Sequence, residues 1–139
     1  MTTGRDDVLP ELMAGLFGRI RAELSDGTMG DLRMSHVRVM AAVPDDGTNV
    51  TDLARRAGMT KQGCGQFVTY LAGTGHLSTS PDPADGRVRL VFRSAAGDRF
   101  MADVYAALER IEGGFAAQVG PRRFATFKKV MAELVGQPA

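Results

Sequence analysis

The sequence contains a single cysteine, Cys64, among 139 residues. One thiol can neither close a disulfide within the chain nor build a thiolate metal site, so packing must stabilise the fold and a reducing compartment is expected. No apolar run approaches the roughly 20 residues that span a membrane. The opening residues carry two aspartates where a secretory signal would have an apolar stretch. We therefore expect a cytoplasmic protein that does not associate with membranes.

The chain also lacks a large excess of charge of one sign, because its net charge is +1 at pH 7. The distribution is uneven: residues 49–100 carry more basic than acidic side chains, whereas the two ends together carry more acidic ones. A mildly basic middle is compatible with nucleic-acid binding but does not establish it. The length fits one domain, and we predict a single domain over residues 1–139.

The sequence shows no recognisable enzyme chemistry. No nucleophile and base stand in a catalytic motif, and Gly63–Gln66 matches no phosphate-binding loop. His36 and His76 are far apart and have no metal-ligand spacing. We therefore predict no catalytic residue, no metal and no cofactor, and we do not expect an enzyme.

Apolar residues that recur at steps of three and four predict helices at both ends of the chain. The first predicted helix covers about residues 5–24, and helical segments cover about residues 95–136, with a break at Gly120–Pro121. Gly113 and Gly114 lower the helix propensity of the long C-terminal segment, so a kink at these glycines is one expectation. A short helix that follows the first loop is expected to have Ser35 as its N-cap.

Two short helices in the middle of the chain form a predicted helix-turn-helix. Asn49 suits the N-cap of the first helix, Gly58 suits its end, and Thr60 suits the N-cap of the second. The second helix places four apolar residues on one face, namely Cys64, Phe67, Val68 and Leu71. Its opposite face is polar and is expected to meet solvent or a partner.

The apolar period then changes from 3.6 to about 2, which predicts a β-hairpin. Its strands are expected at Leu77–Ser80 and Arg87–Phe92, around an Asp85–Gly86 tip. A long helix that begins near Ser94 follows the hairpin.

This order of elements resembles the MarR family of bacterial transcription regulators. The matching segments are Val50–Ala54, Met59–Gln62, Leu71–Gly75 and Pro81–Arg87 with Ser94 and Gly97 downstream. The segment that begins at Pro81 is the most specific, since it is similar to the wing signature of that family. The resemblance implies a mainly α fold with a small β-hairpin wing. It places the winged helix-turn-helix at about 34–93 and dimerisation helices at about 5–24 and 95–136.

The resemblance also implies that the protein binds double-stranded DNA. The candidate DNA contacts are Thr60, Lys61, Gln62, Gln66, Thr69, Tyr70, Arg87 and Arg89. A glutamine can make two hydrogen bonds to adenine, and a lysine suits guanine or phosphate. Arg87 suits the minor groove, with Asp85 holding it extended, and Arg89 suits a phosphate. The alternative is an ordinary solvated helix face and an ordinary exposed hairpin arginine.

The terminal helices carry more apolar residues than one small core requires. The predicted dimer interface consists of Leu9, Leu12, Leu16, Phe124, Phe127, Met131 and Leu134. A homodimer would read a pseudo-palindromic operator with two recognition helices. The resemblance implies a repressor whose DNA affinity a small-molecule effector changes. A monomer whose terminal helices pack on each other is the alternative.

Two glycines in the predicted recognition helix leave a second function open. Gly63 and Gly65 cost helix propensity, and two explanations compete. Either the helix backbone closely approaches DNA or a neighbouring helix, which we favour for Gly63, or the segment is loosely ordered until DNA binds. Residues 58–75 also contain one lysine and no arginine. The alternative function is therefore a winged-helix module that binds protein and has weak or no DNA binding. Cys64 lies on the apolar helix face, so a buried and inert thiol is favoured over a redox sensor.

Overall fold

A computed structural model describes residues 7–24 and 27–137. The helices are α1 (Leu9–Leu24), α2 (Met34–Ala42), α3 (Val50–Ala57), α4 (Lys61–Gly73), α5 (Ala95–Val119) and α6 (Pro121–Leu134). The strands are β1 (Thr48–Asn49), β2 (Leu77–Asp82) and β3 (Asp85–Arg93). The mainly α architecture with a hairpin wing is as predicted. The chain divides into two compact units, with unit 1 formed by residues 1–24 and 105–139 and unit 2 by residues 25–104.

The helix-turn-helix of unit 2 is delimited by local hydrogen bonds that the sequence predicted. The Asn49 side chain accepts the backbone N–H of Asp52 at 2.8 Å and caps α3. Gly58 ends that helix in the left-handed conformation, with φ of 67°. The Thr60 hydroxyl accepts the backbone N–H of Gly63 at 3.1 Å and caps α4. Each cap satisfies a backbone group that a helix end leaves without a partner inside the helix.

The predicted N-cap of α2 was wrong. The helix begins at Met34, so Ser35 lies inside its first turn, and the N-cap is Arg33 in an extended conformation. The backbone N–H of Arg33 donates to Nδ1 of His36 at 2.8 Å. An imidazole three residues beyond the cap therefore does what a glutamate or glutamine does in an ordinary capping box.

The three strands form one antiparallel sheet in the order β1-β3-β2. The two-residue strand β1, which pairs with Leu90 and Val91 of β3, was not predicted. The hairpin tip was also misplaced, because the turn lies at Pro83–Ala84 and Asp85–Gly86 already begins β3. Proline suits the second position of such a turn, and the Asp82 carboxylate accepts the backbone N–H of Ala84 at 2.8 Å.

The core of unit 2 combines residues from every helix and both long strands of that unit. Its completely or almost completely buried side chains include Val39, Met40, Val43, Leu53, Cys64, Leu71, Val91 and Val104. Helix α4 is in contact with α2, α3 and β2. Helix α4 is therefore packed along its apolar face and cannot turn that face outward without losing core contacts.

Unit 1 has a contrasting distribution of apolar side chains. Helix α6 has no buried residue, and Leu24 is the only buried residue of α1. Within the part of α5 that belongs to unit 1, Ala107, Ile111 and Phe115 are buried. Helix α5 runs without interruption through Gly113 and Gly114, so the chain does not fray at these glycines, and a kink there stays a prediction. Over residues 7–24 and 27–137, no helix is long and apolar enough to cross a bilayer.

Candidate nucleic-acid interface

Helix α4 presents a polar face to solvent. Six predicted DNA contacts are exposed here, namely the N-cap residue Thr60 and the helix residues Lys61, Gln62, Gln66, Thr69 and Tyr70. The opposite face is buried at Cys64, Val68 and Leu71, and Phe67 is half-buried. The division into a core face and an exposed face agrees with the sequence pattern. The structure thus leaves the candidate side chains accessible, and their contact with DNA stays a prediction.

Two of these side chains are already engaged within unit 2. The Thr69 hydroxyl donates to the carbonyl oxygen of Gly65 at 3.0 Å, which leaves this hydroxyl oxygen to act as an acceptor. The Tyr70 ring stacks on the His36 imidazole, with ring centres 5.0 Å apart and planes 23° apart. Tyr70 remains 46% exposed, so one part of its ring packs and another part stays available.

His36, a residue of α2, packs against aromatic side chains of α4. Its side chain is buried, it stacks on Tyr70, and its ring lies edge-on to Phe67 at 5.4 Å. Burial, followed by the nearby charges of Arg33 and His76, lowers the pKa of His36 below its ordinary value. Nδ1 accepts a backbone N–H and must therefore be unprotonated, which agrees with the direction of the pKa shift.

The wing holds its arginine next to a carboxylate. Arg87 Nε lies 3.2 Å from Asp85 Oδ1, and the Arg87 backbone N–H also donates to that oxygen at 3.1 Å. These hydrogen bonds lower the pKa of Asp85. The Arg87 side chain is 92% exposed, so the guanidinium is oriented by Asp85 and still reachable from solvent. The contact between Asp85 and Arg87 is therefore present, whereas its role in binding DNA remains a prediction.

The side chain of Arg89 has a different hydrogen-bond partner from that of Arg87. Its Nη2 donates to the Thr79 hydroxyl of the neighbouring strand at 2.6 Å. Both arginines are exposed and lie two residues apart on β3. A phosphate contact by Arg89 would have to keep or replace the bond to Thr79.

Arg93, the last residue of β3, is a charged residue that sequence inspection did not single out. Its Nη1 donates to the carbonyl oxygens of Met40, at 3.0 Å, and Val43. Its Nε lies 2.8 Å from Asp98 and its Nη2 lies 2.7 Å from Asp45. Strand periodicity gave a usable signal, because Arg93 is two residues from buried Val91 and so belongs to the core-facing side of β3.

The start of α5 is fastened to the end of the helix-turn-helix by Ser94 and Gly97. The Ser94 hydroxyl donates to the carbonyl oxygen of Gly75 at 2.6 Å and accepts the backbone N–H of Gly97 at 3.0 Å. The Ser94 backbone N–H donates to the carbonyl oxygen of His76 at 3.1 Å. These bonds give a physical reason for the Ser94 and Gly97 spacing noted in the sequence.

The glycines of α4 do not approach another helix. The nearest atom to a Cβ built at Gly63 would be Thr60 Oγ1, at 3.0 Å, in the N-cap of the same helix. A Cβ at Gly65 would meet nothing within 4 Å among the described residues. Among the described residues, close approach to a neighbouring helix is thereby removed as the reason for Gly63, whereas close approach to DNA and ordering of the helix on DNA binding both stay open.

The predicted dimer residues lie on α1 and α6 of unit 1. Four of them are exposed, namely Leu9, Leu12, Phe127 and Leu134, and three are half-buried, namely Leu16, Phe124 and Met131. A cavity of about 530 Å³ is lined by residues of both helices: Leu9, Leu12, Met13, Ala14, Leu16, Phe17, Ile20, Phe127 and Met131. The structure thus brings five of the seven predicted residues to one apolar groove, which we call the α1–α6 groove. Phe124 packs beside Phe127 outside it, and Leu134 does not line it.

Cys64 is completely buried, as the sequence pattern predicted. Burial raises the pKa of its thiol. A thiol with a raised pKa and no exposure is a poor nucleophile, because the thiolate is the reactive form.

No family model matches this chain, and no curated relative matches it. Solved structures do resemble it over nearly its whole length. A probable transcriptional regulator from Pseudomonas aeruginosa is 23% identical and has a TM-score of 0.77, with 93% of this chain and 98% of that chain covered. A MarR-family transcriptional regulator from Rhodococcus sp. RHA1 is 17% identical, with a TM-score of 0.76 and 97% of each chain covered.

A third similar structure is that of BpsR from Bordetella bronchiseptica, whose DNA binding is regulated by 6-hydroxynicotinic acid. It is 16% identical, has a TM-score of 0.76, and covers 99% of this chain and 100% of its own. Identities at this level establish a shared fold. The chain has the winged-helix fold of MarR-type regulators.

Proposed function

We propose, from this shared fold and the exposed polar groups of unit 2, that the protein is a dimeric, sequence-specific DNA-binding transcription regulator. The observation that carries the proposal is the presence in one unit of a capped helix with an exposed polar face and a wing arginine that is 92% exposed. Helix α4 would enter the major groove, with Thr60, Lys61 and Gln62 near the groove floor at its N-terminal end. Arg87 would reach the adjacent minor groove, where negative potential attracts guanidinium groups.

Dimerisation is supported by the distribution of apolar side chains in unit 1. Leu9 is 58% exposed and Leu12 is 54% exposed, and both line the α1–α6 groove. Such a contiguous apolar surface is usually covered by a partner. We propose that a second copy of this chain covers it, because two recognition helices about one DNA turn apart give the specificity that one winged helix lacks.

The regulatory part of the proposal is a repressor whose DNA affinity changes when a small molecule binds. It is supported by the similarity in fold to BpsR, whose DNA binding responds to a small aromatic acid. A ligand can act in this way only if it binds the DNA-competent and DNA-incompetent conformations with different affinity.

The second candidate function is a winged-helix module that binds protein. The observation that favours it is the composition of the α4 surface, where Lys61 is the only basic residue and Gly63 and Gly65 contribute no side chain. Since phosphate contacts by lysine and arginine supply much of the affinity for DNA, a helix with one lysine depends strongly on its wing.

The experiment begins with selection of bound duplexes from a random library and with the DNA upstream of the protein's own gene. Affinity for the selected duplex is then measured at fixed salt for the wild type, Arg87→Ala and a control, Arg110→Ala. Arg110 is exposed on the part of α5 that belongs to unit 1, so the control removes the same charge away from unit 2. We expect Arg87→Ala to weaken binding by about 1–3 kcal/mol and the control to change it little.

Failure of the wild type to enrich any sequence, at low as well as moderate salt, would contradict the proposed function and favour the protein-binding module. Enrichment of a sequence with unchanged affinity in Arg87→Ala would retain DNA binding and remove Arg87 from the contact set.

A further inference from the structure

Arg93 makes more contacts than any other arginine of unit 2 for which contacts are described. Three of its nitrogen atoms contact four groups: the carbonyl oxygens of Met40 and Val43 and the carboxylates of Asp45 and Asp98. Its side chain is 18% exposed. A guanidinium so far removed from water needs such partners, because its desolvation is otherwise unfavourable.

The two backbone carbonyls are the buried partners of the Arg93 guanidinium, and the two carboxylates are its exposed partners. The Asp45 and Asp98 side chains are 99% and 63% exposed, so water competes strongly with each ion pair. Met40 and Val43 lie at the C-terminal end of α2 and are themselves buried. The Met40 carbonyl oxygen also accepts the backbone N–H of Val43 at 3.2 Å. A carbonyl oxygen can accept two hydrogen bonds, and the partial negative charge of a helix C-terminus favours a cation there.

These contacts fasten the base of the wing to the body of unit 2. Arg93 ends β3 and pairs with Leu77, where β2 begins. Arg87 lies near the far end of the same strand, about 20 Å away at the rise of an extended chain. A rotation of the hairpin by about 10° at its base would move Arg87 by about 3–4 Å over that length. This displacement is a large fraction of the roughly 6 Å width of a minor groove.

We propose that Arg93 is a positioning residue for DNA binding, which holds the base of the wing on the C-terminal end of α2 so that Arg87 meets the minor groove. The inference rests on the proposed DNA-binding function. Arg93 itself contacts no DNA in this proposal. The fork of the guanidinium is essential, because the single ammonium of a lysine cannot reach two carbonyls and two carboxylates at once.

A double-mutant cycle on DNA affinity tests the coupling between Arg93 and Arg87. The variants are Arg93→Lys, which keeps the charge, Arg87→Ala and their combination, all titrated with the selected duplex at one salt concentration. If Arg93 acts by placing Arg87, Arg93→Lys weakens binding by a factor close to that of Arg87→Ala, and the double variant is hardly weaker than either. The matched cycle with Lys61→Ala on α4 should be additive, since this side chain does not belong to the wing.

Hydrogen exchange of the wing amides provides a readout that does not depend on DNA. Arg93→Lys should speed exchange of the β2 and β3 amides by roughly tenfold or more relative to those of α4. Additive free energies for Arg93→Lys and Arg87→Ala, or unchanged wing exchange, would overturn the proposal. If the wild type binds no duplex, the proposed function fails, and the exchange measurement still decides whether Arg93 holds the wing.

A second variant covers the case in which Arg93→Lys does not fold. Asp98→Asn removes the charge of the Nε partner at a position that is 63% exposed, so we expect the chain to fold. The proposal predicts that the wing amides of Asp98→Asn exchange faster than those of the wild type, with a smaller increase than in Arg93→Lys. It also predicts that the effects of Asp98→Asn and Arg87→Ala on DNA affinity are not additive. Asp98→Asn that leaves the wing exchange unchanged would overturn it.

Discussion

Gly97 lies so close to the carbonyl oxygen of His76 that a Cβ built on this glycine would stand 2.1 Å from that oxygen. The oxygen belongs to backbone that also accepts the N–H of Ser94, so it cannot easily move away. The first turn of α5 therefore requires a residue without a side chain at this position.

Gly97→Ala should lower the free energy of unfolding by about 1–3 kcal/mol, because the added methyl forces a backbone shift in a packed region. Gly65→Ala is the matched control, since it adds the same methyl to a helix where the space is open. It should raise stability by about 0.5–1 kcal/mol through helix propensity. Urea unfolding of both variants measures the difference, and equal effects of the two substitutions would contradict the contact with His76.

Gly63→Ala should have a smaller effect on stability than Gly65→Ala. The new methyl gains helix propensity, but it would stand 3.0 Å from Thr60 Oγ1 and disturb the N-cap of α4. We expect a melting temperature that is level or slightly higher and weaker binding to the selected duplex, because in the proposed complex the methyl would stand on the side of α4 that meets the groove. Both quantities are measured on one preparation. Tighter binding together with a higher melting temperature would favour a helix that orders only when DNA binds.

His36 should make the stability of unit 2 depend on pH. Burial lowers the pKa of His36 in the folded chain below its ordinary value of 6.5, whereas the unfolded chain titrates near that value. The unfolded state therefore binds more protons between the two pKa values. The contribution of His36 to stability is complete above the unfolded pKa and is lost as the pH falls through the folded pKa.

Urea unfolding between about pH 5 and pH 8 measures this dependence. His36→Asn is the control variant, because its amide oxygen can accept the Arg33 backbone N–H and does not titrate. We expect a flatter profile in the control, although its stability at neutral pH falls through loss of the Tyr70 stacking. The same slope in both proteins would assign the pH dependence to other groups.

Leu12→Glu and Phe127→Glu should separate the proposed dimer into monomers. Each places a charge in the α1–α6 groove, where dimerisation would remove it from water. Ser80→Glu, at an exposed position of β2 in unit 2, is the control. Sedimentation at tens of micromolar should show the wild type and the control as dimers and the two groove variants at 14.8 kDa. A wild type that sediments at 14.8 kDa would contradict the homodimer.

The features that the sequence predicted well depend on contacts between residues close in the chain. Asn49 and Thr60 cap helices through hydrogen bonds to backbone groups three residues away, so their side-chain type and spacing were sufficient. The buried position of Cys64 followed from helical periodicity in the same way.

The features that the sequence missed depend on competing or distant partners. Ser35 has better cap chemistry than Arg33, but the hydrogen bond from Arg33 to the His36 imidazole starts α2 two residues earlier than a Ser35 cap would. Strand β1 has two residues, which is too short for a periodic signal, and it exists because β3 lies beside it. The partners of Arg93 at Met40 and Val43 are 53 and 50 residues away in the sequence, so only the inward strand position of Arg93 indicated them.

The complete burial of the one cysteine makes the chain a clean background for site-directed chemical labelling. A thiol introduced at an exposed wing position would react with a maleimide dye quickly, whereas Cys64 would react only when α4 separates from its neighbours. The labelling rate of Cys64 therefore measures how often the packing around α4 opens in the folded protein. The ratio of this rate to the labelling rate of an unstructured thiol gives the equilibrium constant for that opening. If DNA binds only the closed form, added operator DNA would lower the labelling rate of Cys64 by the factor with which it stabilises that form. The labelling of one buried thiol would thus report binding without any dye on the DNA.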